Sequence, residues 1–360
     1  MPNEEEQKND KYAKLRPVVD MLRANFRSHW VPAQDVTIDE SMVASKARCS
    51  MVQFVPSKPT RFGFKVWCIA DSITGYIIEF EMYEGKKDDD REVEDLVEDK
   101  DENVDDLHGH VPNDIESLVV RLCDALPQDR KFNVFADSLF ATVQLAKILV
   151  QKGRLLCGTV KLNSVQLPPS LSVSAKFLGK GQSLSIVDSK DNVAVYVKKE
   201  KKTFALVTSL HSPEKMSFDV VRNEYNQKAR GVDLANQRMT YYAPQRRTIK
   251  WWHTVFDFLI NASVANAYVL ASSRANYSKS ELRFRMTLIT DIFSRYCTTK
   301  LAVSLASSRH VPVRGEKKNI CHGCSKKGKK RAKTRYYCKG CSSGCYNVHL
   351  HPRCFEEYHQ

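Results

Sequence analysis

The sequence lacks long apolar runs, and its hydrophobic stretches are too short and too often interrupted to cross a lipid bilayer. Its first eleven residues are charged rather than apolar, so we expect no secretory signal peptide. No internal repeat is visible along the 360 residues. The chain is therefore predicted to be a soluble intracellular protein, whose 42% hydrophobic residues can form the cores of two or three domains.

Cysteine is scarce over most of the chain, because six of the eleven cysteines lie within the last forty residues. A secreted domain held by disulfides would carry its cysteines along its whole length. A local cluster instead indicates a metal site in a reducing compartment. The six are Cys321, Cys324, Cys338, Cys341, Cys345 and Cys354.

Acidic residues are scarce near the C terminus, where residues 301–360 hold 13 Lys and Arg against 3 Asp and Glu. The whole chain has a formal charge of +14, and a basic end favours a polyanion such as nucleic acid. Ordinary solubilising charge is the alternative interpretation. Residues 88–106 have the opposite character, with 12 acids against 2 bases, and predict a solvated loop.

Apolar residues at helical spacing predict helices, and runs rich in β-branched and aromatic residues predict strands. The predicted helices cover residues 12–30, 112–126, 139–152, 223–239, 251–272 and part of 278–308. The predicted strands cover residues 36–42, three runs between 50 and 85, 131–135 and 155–160. Strands followed by alternating helices and strands are typical of an α/β fold with a mixed sheet.

Two further segments have a composition of their own. Residues 163–222 are rich in Ser and Lys, with short β-like runs about every ten residues and no strong helix. They predict an all-β insertion. Residues 309–319 are predicted to be a basic linker.

Three aspartates lie where one fold could bring them together. Asp39 ends the predicted strand 36–42 together with Glu40, Asp137 follows the strand 131–135, and Asp233 lies in a later helix. Neighbouring strands are ~4.8 Å apart, so carboxylates at adjacent strand ends can share cations. A pair of Mg²⁺ ions held in this way suits phosphoryl transfer. Each aspartate taken singly is more often a cap or turn residue.

The C-terminal end carries two Cys-x₂-Cys pairs, Cys321/Cys324 and Cys338/Cys341, separated by a basic stretch. The spacing predicts zinc sites, and the residues that follow complete more than enough ligands for two tetrahedral ions. These further candidates are Cys345, His349, His351, Cys354 and His359. The basic stretch is KKGKKRAKTR, with Lys329, Lys330 and Arg331, and predicts a DNA-facing loop or a nuclear-import signal.

Several motifs in this order resemble the piggyBac-type transposase family, a group of DDE/DDD transposases. They are VTIDESMV, FVPSKPTRFGFKVWCIADSITGY, FADSLF, GTV and ARGVDLANQRMTYYAPQRRTIKWWHTVFDFLINASVANAY, and the resemblance covers about residues 12–360. It implies an RNase H-like catalytic core in which Asp39, Asp137 and Asp233 bind Mg²⁺ or Mn²⁺. Glu40 is then only a neighbour of Asp39. It also implies cleavage of transposon ends by water, a hairpin intermediate and integration at TTAA.

The chain departs from the family's pattern near its second and third acids. Ser138 follows Asp137 where the family commonly has Asn, and Arg230 replaces a Gly of GGVD. Asn236 stands where a further Asp is common. Because an amide keeps an oxygen ligand but loses the negative charge, we expect weaker metal binding and reduced activity. Arg230 could hold a DNA phosphate, could neutralise the carboxylates, or could reflect drift in a copy released from selection.

The stretch QRRTIKWW over residues 245–252 matches a basic motif of the family. Arg246, Arg247 and Lys250 are predicted to contact phosphates, which positions DNA without reading its sequence. The paired tryptophans begin an apolar pattern at helical spacing, which favours packing in the core over base stacking.

The resemblance further implies that the cysteine-rich end is a RING- or PHD-like cross-brace with two zinc ions. In that arrangement Cys321 and Cys324 bind one ion with Cys345 and either His349 or His351. Cys338 and Cys341 bind the other ion with Cys354 and His359, and His322 is a bystander.

Taken together, the predicted fold is α/β, an RNase H-like core with an all-β insertion, a flanking helical region and a zinc-binding cross-brace. The predicted segments are 1–34 (remnant of an N-terminal helical region), 35–162 (first part of the core), 163–222 (insertion), 223–240 (core helix with the third Asp), 241–310 (helical dimerisation and DNA-binding region) and 311–360 (zinc domain).

The predicted function is metal-dependent DNA cleavage and strand transfer by a homodimer in the nucleus, acting on double-stranded DNA and not on a membrane. The alternative is a catalytically inactive, domesticated protein that binds DNA or chromatin. Two features favour the alternative. Proteins of the family are commonly longer at the N terminus, and the third motif is altered.

Overall fold

A computed structural model of the chain describes residues 10–56, 58, 60–85, 114–243, 248, 250–296, 312–326, 332–339, 341–342, 348–352 and 354. The predicted acidic loop over 88–106 lies outside the described residues. The chain divides into two compact units, Met1–Ser278 and Lys279–Gln360.

Among its described residues, the first unit is organised around one sheet of nine strands. The strands are β1 (Asp35–Ala44), β2 (Val52–Phe54), β3 (Phe62–Asp71), β4 (Ile77–Met82), β5 (Phe132–Ala136), β6 (Arg154–Thr159), β7 (Ser183–Asp188), β8 (Val193–Lys199) and β9 (Thr203–Thr208). Their order is β2-β3-β1-β5-β6-β9-β8-β7, and β4 pairs with the same edge of β3 as β2.

The centre of the sheet is parallel and its flanks are antiparallel. β1, β5 and β6 run in the same direction, with Ile38 opposite Ala136 and Ala136 opposite Gly158. β3 on one side and β9 on the other run against them. The mixed sheet predicted from the sequence is confirmed. Strand β1 extends the predicted strand 36–42 by one residue at its start and two at its end, and it includes the carboxylate pair.

Helices cover both faces of this sheet. They are α1 (Arg16–His29), α2 (Asp114–Asp124), α3 (Val143–Gln151), α4 (Pro169–Phe177), α5 (Phe218–Lys228), α6 (Gly231–Tyr241) and α7 (Trp251–Ser272). On β5, Val134 and Ala136 point into the main apolar core, whereas Phe135 points to a second cluster with Phe218 and Val221 of α5. Burial of both faces explains why the central strands are almost wholly apolar.

Helix α7 is the longest helix of the described residues and matches the predicted range. By length and composition alone, it is long and apolar enough to cross a membrane. This differs from the expectation that every hydrophobic stretch of the sequence is too short. One face is buried in the core, including Val255, Leu259 and Ala262. On the same face the Asn266 amide accepts a hydrogen bond of 2.9 Å from the N–H of Ile77 and donates one of 2.8 Å to its carbonyl. We interpret α7 as a packing helix of the first unit.

The predicted all-β insertion is wrong, because part of it is helical. Residues 169–177 form helix α4, whose apolar positions Leu171 and Ala175 are one turn apart and buried. The Ser-rich composition weakened this pattern in the sequence. Strands β7, β8 and β9 also do not form a separate sheet, because β9 pairs with β6 and extends the central sheet.

The single helix predicted over 223–239 is also wrong, since two helices meet at residues 229 and 230. Gly231, the first residue of α6, lies against the end of β3. A Cβ added there would be 2.7 Å from the Asp71 carbonyl oxygen and 3.0 Å from the Ser72 Cα. The break lets the chain change direction where this close backbone contact occurs.

The described part of the second unit contains helix α8 (Glu281–Tyr296), strand β10 (Pro312–Ile320), the short helix α9 (His322–Lys326) and strand β11 (Lys333–Cys338). The predicted basic linker over 309–319 is therefore largely a strand. β10 pairs with β11 in antiparallel register, so backbone hydrogen bonds and not an apolar pattern hold it.

Candidate active site and cysteine–histidine centre

Asp39 and Asp137 lie side by side on neighbouring parallel strands. Ile38 of β1 is opposite Ala136 of β5, and each aspartate directly follows its member of this pair. Period-2 alternation directs both side chains to the face that α5 covers, where the Thr37 hydroxyl donates a 2.7 Å hydrogen bond to the Lys228 carbonyl. The structure thus brings together two of the three predicted acids.

Glu40 is the third acid of this group, although its sequence position suggested only a neighbour of Asp39. Carboxylate oxygens of Asp39, Glu40 and Asp137 lie within 4.8 Å of one another. Because β5 ends at Ala136, the paired register with β1 stops at Ile38. The Glu40 carboxylate can therefore reach Asp137 around the end of β5.

One lysine balances part of this charge. Lys58, in the loop between β2 and β3, places its Nζ 3.0 Å from Glu40 Oε1 and 3.9 Å from Asp39 Oδ1. Sequence reasoning missed it, because a loop lysine between prolines has no strand pattern to fix its direction. The only signal in the sequence was the position of PSKP just before a strand that pairs with β1.

Burial controls the ionisation of the three acids. It raises the pKa of Asp39 to about 7, against the attraction of the Lys58 ammonium. It also raises the pKa of Asp137, against a 2.9 Å hydrogen bond from the Leu139 N–H. Burial acts in the same direction on Glu40, but the hydrogen bond and charge of Lys58 outweigh it, so the pKa of Glu40 is lowered. A cation at this position would favour the charged form of all three.

Asp233 is not part of this acidic group among the described residues. It is exposed in the first turn of α6 and lines a cavity of about 710 Å³ together with Lys228 and Arg230. Its helix nevertheless lies over the relevant strand, because Asn236 accepts a 2.7 Å hydrogen bond from the Ser41 hydroxyl. Ser41 is two residues beyond Asp39 and shares its face of β1.

A second, smaller cavity of about 400 Å³ lies at the carboxyl end of β6. Ser138, Thr159 and Lys161 contribute to its lining. Ser138 directly follows Asp137, so the cavity adjoins the acidic group at the residue where the motif departs from Asp-Asn.

The predicted DNA-contacting residues are only partly described. Arg230 is exposed immediately before α6, and Lys250 is exposed immediately before α7. The remaining candidates lie outside the described residues; they are Arg246, Arg247, Lys329, Lys330 and Arg331. Trp251 contacts Tyr12 and Phe64, with ring centroids 5.7 and 6.1 Å apart, which favours its predicted packing role.

A four-residue group of Cys321, Cys324, His351 and Cys354 lies in the second unit, with donor atoms within 4.8 Å of one another. The Cys324 Sγ is 3.6 Å from the Cys354 Sγ and 3.4 Å from the His351 Nδ1. A tetrahedral zinc ion with Zn–S bonds of about 2.3 Å separates its sulfur ligands by about 3.8 Å. The spacing and the donor types therefore fit zinc.

The composition of this group differs from the cross-brace assignment at Cys354 and includes one of the two histidines that the assignment left open. Cys354 joins Cys321 and Cys324 instead of the second pair, and the histidine is His351. The Cys354 N–H donates a hydrogen bond to the His351 carbonyl, and this turn places the two side chains on the same side of the backbone. His349 instead lies with its Nε2 2.9 Å from the Asn319 side-chain nitrogen.

The second predicted zinc site is only partly described. Cys338 and Cys341 are close together, and the Cys341 N–H donates a 3.3 Å hydrogen bond to the Cys338 Sγ. Of their predicted partners, Cys354 lies in the first group and His359 lies outside the described residues, as does Cys345. In the first site, burial acts to raise the pKa of Cys321, but N–H groups of His351 and Cys324 outweigh it and lower the pKa to about 7. A thiolate is the form that binds a metal.

The chain is similar to known proteins. The family model described as "Transposase IS4" matches residues 1–268. Human PiggyBac transposable element-derived protein 2 is 27% identical over 288 residues, which cover 74% of this chain and 45% of that protein. Human PiggyBac transposable element-derived protein 3 is 25% identical over 381 aligned residues, covering 97% and 59%. The chain thus spans about half the length of these relatives.

A solved structure shares the fold. The cryo-EM structure of a piggyBac transposase synaptic complex with hairpin DNA superimposes with a TM-score of 0.69 and covers 97% of this chain and 75% of that one. The sequences are 20% identical, so the similarity establishes the mixed α/β fold alone.

Proposed function

The chain belongs to the piggyBac-type transposase family, and from this premise we propose that it binds double-stranded DNA and cuts it with the help of divalent cations. The observation that carries the proposal is the parallel register of Ile38 and Ala136, which leaves Asp39 and Asp137 adjacent. Two carboxylates on neighbouring strands are what a shared hard cation needs.

The proposed core is RNase H-like. Strands β4, β3 and β1 are antiparallel, and β5 and β6 then run parallel to β1. The first two acids of the proposed triad lie on β1 and directly after β5, at the centre of this arrangement. This order of strands supports the core that the family resemblance implies.

Each of the proposed ligands has a defined task. Asp39 and Asp137 would hold Mg²⁺ or Mn²⁺, and Asp233 would be the third acid, carried by α6 over the same face of β1. The cations would supply electrostatic stabilisation of the charge that develops on phosphate oxygens. Lys228 and Arg230 line the adjacent cavity and would attract the DNA backbone.

The proposed substrate is a transposon end with a TTAA target, and the proposed active form is a homodimer in the nucleus. The acids, not the basic residues, would distinguish an enzyme from a DNA-binding protein. A synaptic complex with hairpin DNA is the state described for the structural relative.

The deciding experiment is strand cleavage of cognate transposon-end DNA by the full chain with Mg²⁺ or Mn²⁺. Asp137→Asn should lower cleavage by at least about a hundredfold, because the cations that would stabilise the developing phosphate charge lose one carboxylate ligand. Asp124→Asn is the matched control, since Asp124 is a surface aspartate of the same unit that pairs with Lys152. Tight DNA binding without nicking in either metal would refute the enzyme.

One observation favours a second candidate, a catalytically inactive protein that binds DNA or chromatin. Asp233 is exposed and outside the acidic group, and its helix has Asn236 in place of a further acid. The same assay separates the candidates, because only the enzyme produces metal-dependent nicks.

We further propose that the C-terminal unit binds two zinc ions as a cross-brace, the first through Cys321, Cys324, His351 and Cys354. The proposed second site uses Cys338, Cys341, Cys345 and His359. Metal analysis of the purified full chain should give two zinc ions per chain. A stoichiometry below two would refute the cross-brace.

A further inference from the structure

We propose that Lys58 is a built-in counter-cation of the acidic group, and that Glu40 is a ligand of the divalent ion that displaces it. The inference rests on the proposed function, because it concerns the same metal site. It adds one ligand and one competitor that have no role in the proposed triad, although both residues lie within the quoted motifs.

The environment of Glu40 suits a metal ligand. Its side chain is only 9% exposed, and one oxygen, Oε1, accepts the Lys58 hydrogen bond at 3.0 Å. The other oxygen, Oε2, is buried without a hydrogen-bond partner among the described residues. A buried carboxylate oxygen without a partner is costly, and such oxygens in native proteins usually serve a bound ion or water.

The charge of the group is not balanced by the lysine. Three carboxylates, those of Asp39, Glu40 and Asp137, have one ammonium group within 4 Å, that of Lys58, while the charge of Lys65 acts on Glu40 and Asp137 from farther away. With all groups ionised, the excess is two negative charges. A divalent cation neutralises this excess, and its preferred ligands are carboxylate oxygens.

The Asp39 carboxylate is oriented by a backbone hydrogen bond. Its Oδ1 accepts a 2.7 Å hydrogen bond from the backbone N–H of Glu40, which fixes the direction of the carboxylate. The two consecutive residues thereby present their carboxylates to a common point. This arrangement explains how Glu40 can act with Asp39 although successive side chains alternate along a strand.

Lys58 is suited to leave when the ion binds. It lies in a loop rather than in a helix or strand, and its side chain is 31% exposed. A lysine ammonium on a flexible four-carbon stem can move into solvent, where it is strongly hydrated. The ammonium and a divalent ion would both be held by the Glu40 and Asp39 carboxylates, and two cations so close together repel each other, so they compete.

The test is Mn²⁺ binding to the full chain without DNA, followed by electron paramagnetic resonance and calorimetry. Glu40→Gln should weaken Mn²⁺ binding about tenfold, because a charged ligand is lost. Lys58→Met should tighten it about tenfold, because the competing charge is removed. Lys58→Arg, which keeps the charge, should bind Mn²⁺ within about twofold of the wild type.

Matched controls are available elsewhere in the chain. Lys147 also bridges two acids, Asp188 at 2.6 Å and Asp191 at 3.1 Å, so Lys147→Met removes an equivalent bridge away from the site. Glu81→Gln removes a glutamate that pairs with Arg121 at 2.6 Å. Neither should change Mn²⁺ affinity. Thermal unfolding of every variant with and without Mn²⁺ verifies that each is folded.

The outcomes separate this inference from the proposed function. If Asp137→Asn abolishes Mn²⁺ binding while Glu40→Gln and Lys58→Met bind as the wild type does, the inference fails and the metal site stands. If Lys58→Met weakens binding, the lysine supports the site instead of competing for it, and the inference is overturned. If the wild type binds no Mn²⁺, or binds only Mn²⁺ that Asp137→Asn leaves in place, the inference and the proposed function both fail.

Discussion

Ser41 on β1 donates a 2.7 Å hydrogen bond to the Asn236 side-chain oxygen on α6. This contact spans 195 residues of sequence and fixes the helix that carries Asp233 against the strand that carries Asp39. Asn236 thus has a structural partner, and its amide oxygen faces the same surface of β1 as the first acid.

We predict that Asn236→Asp increases metal-dependent DNA cleavage about tenfold or creates it where the wild type has none. An aspartate keeps the acceptor for the Ser41 hydroxyl and adds a negative charge over β1. The measurement is the rate of nicking of transposon-end DNA in Mg²⁺. Thr240→Asp adds the same charge one turn later at an exposed position and should change nothing. Equal rates in all three proteins would contradict a metal-binding role at position 236.

Gly231→Ala should destabilise the first unit by ~1–3 kcal/mol, because its Cβ would lie 2.7 Å from the Asp71 carbonyl oxygen and backbone must move. Urea unfolding of the full chain measures the change. The matched substitution is Gly179→Ala, whose Cβ would meet only the flexible end of the Gln182 side chain. A loss of stability equal to that of Gly179→Ala would show that the contact at Gly231 is not tight.

The adjacency of Asp39 and Asp137 could be anticipated from the sequence, because acids at the ends of apolar strands meet when those strands are parallel neighbours. The roles of the two acids stay predictions. The contribution of Glu40 and Lys58 could not be anticipated in the same way. It depends on where β5 stops and on the course of a loop, and neither leaves a periodic signal.

At two places, backbone contacts explain why the secondary structure predicted from the sequence was wrong. The break before Gly231 is set by its approach to Asp71, which lies 160 residues earlier in the chain and cannot be seen locally. The strand Pro312–Ile320 is charged and exposed, so only its pairing with β11 reveals it. His349 and His351 are likewise the same residue type, and only the local backbone decides which of their side chains points to the cysteine group.

The N-terminal ion pair predicts a pH dependence of stability. The Arg16 guanidinium hydrogen-bonds the Asp10 carboxylate at 2.5 and 2.8 Å and lowers the pKa of that carboxyl below its usual 3.8. A lowered pKa means that the folded state releases the proton more readily than the unfolded chain. The stabilisation is therefore complete above pH 3.8 and is lost as the pH falls through the folded-state pKa.

Asp10→Asn should accordingly lower the free energy of unfolding by ~0.5–1 kcal/mol at pH 7. The difference from the wild type should shrink as the pH falls below 3.8. Urea unfolding between pH 7 and pH 3 measures it. Asp20→Asn, at an exposed position of α1, is the control and should show no such trend. A difference that is constant with pH would mean that the hydrogen-bond geometry, and not the charge, provides the stabilisation.

The two neighbouring histidines of the C-terminal unit give a prediction that separates ligand from bystander. His351 has its Nδ1 3.4 Å from the Cys324 Sγ, whereas His349 has its Nε2 beside Asn319. His351→Ala should lose one of two zinc ions and His349→Ala should keep both, as metal analysis of the full chain would measure. His351→Cys should restore the ion, because thiolate and imidazole are both zinc ligands. If His349→Ala loses zinc and His351→Ala does not, His349 and not His351 is the ligand of the first site.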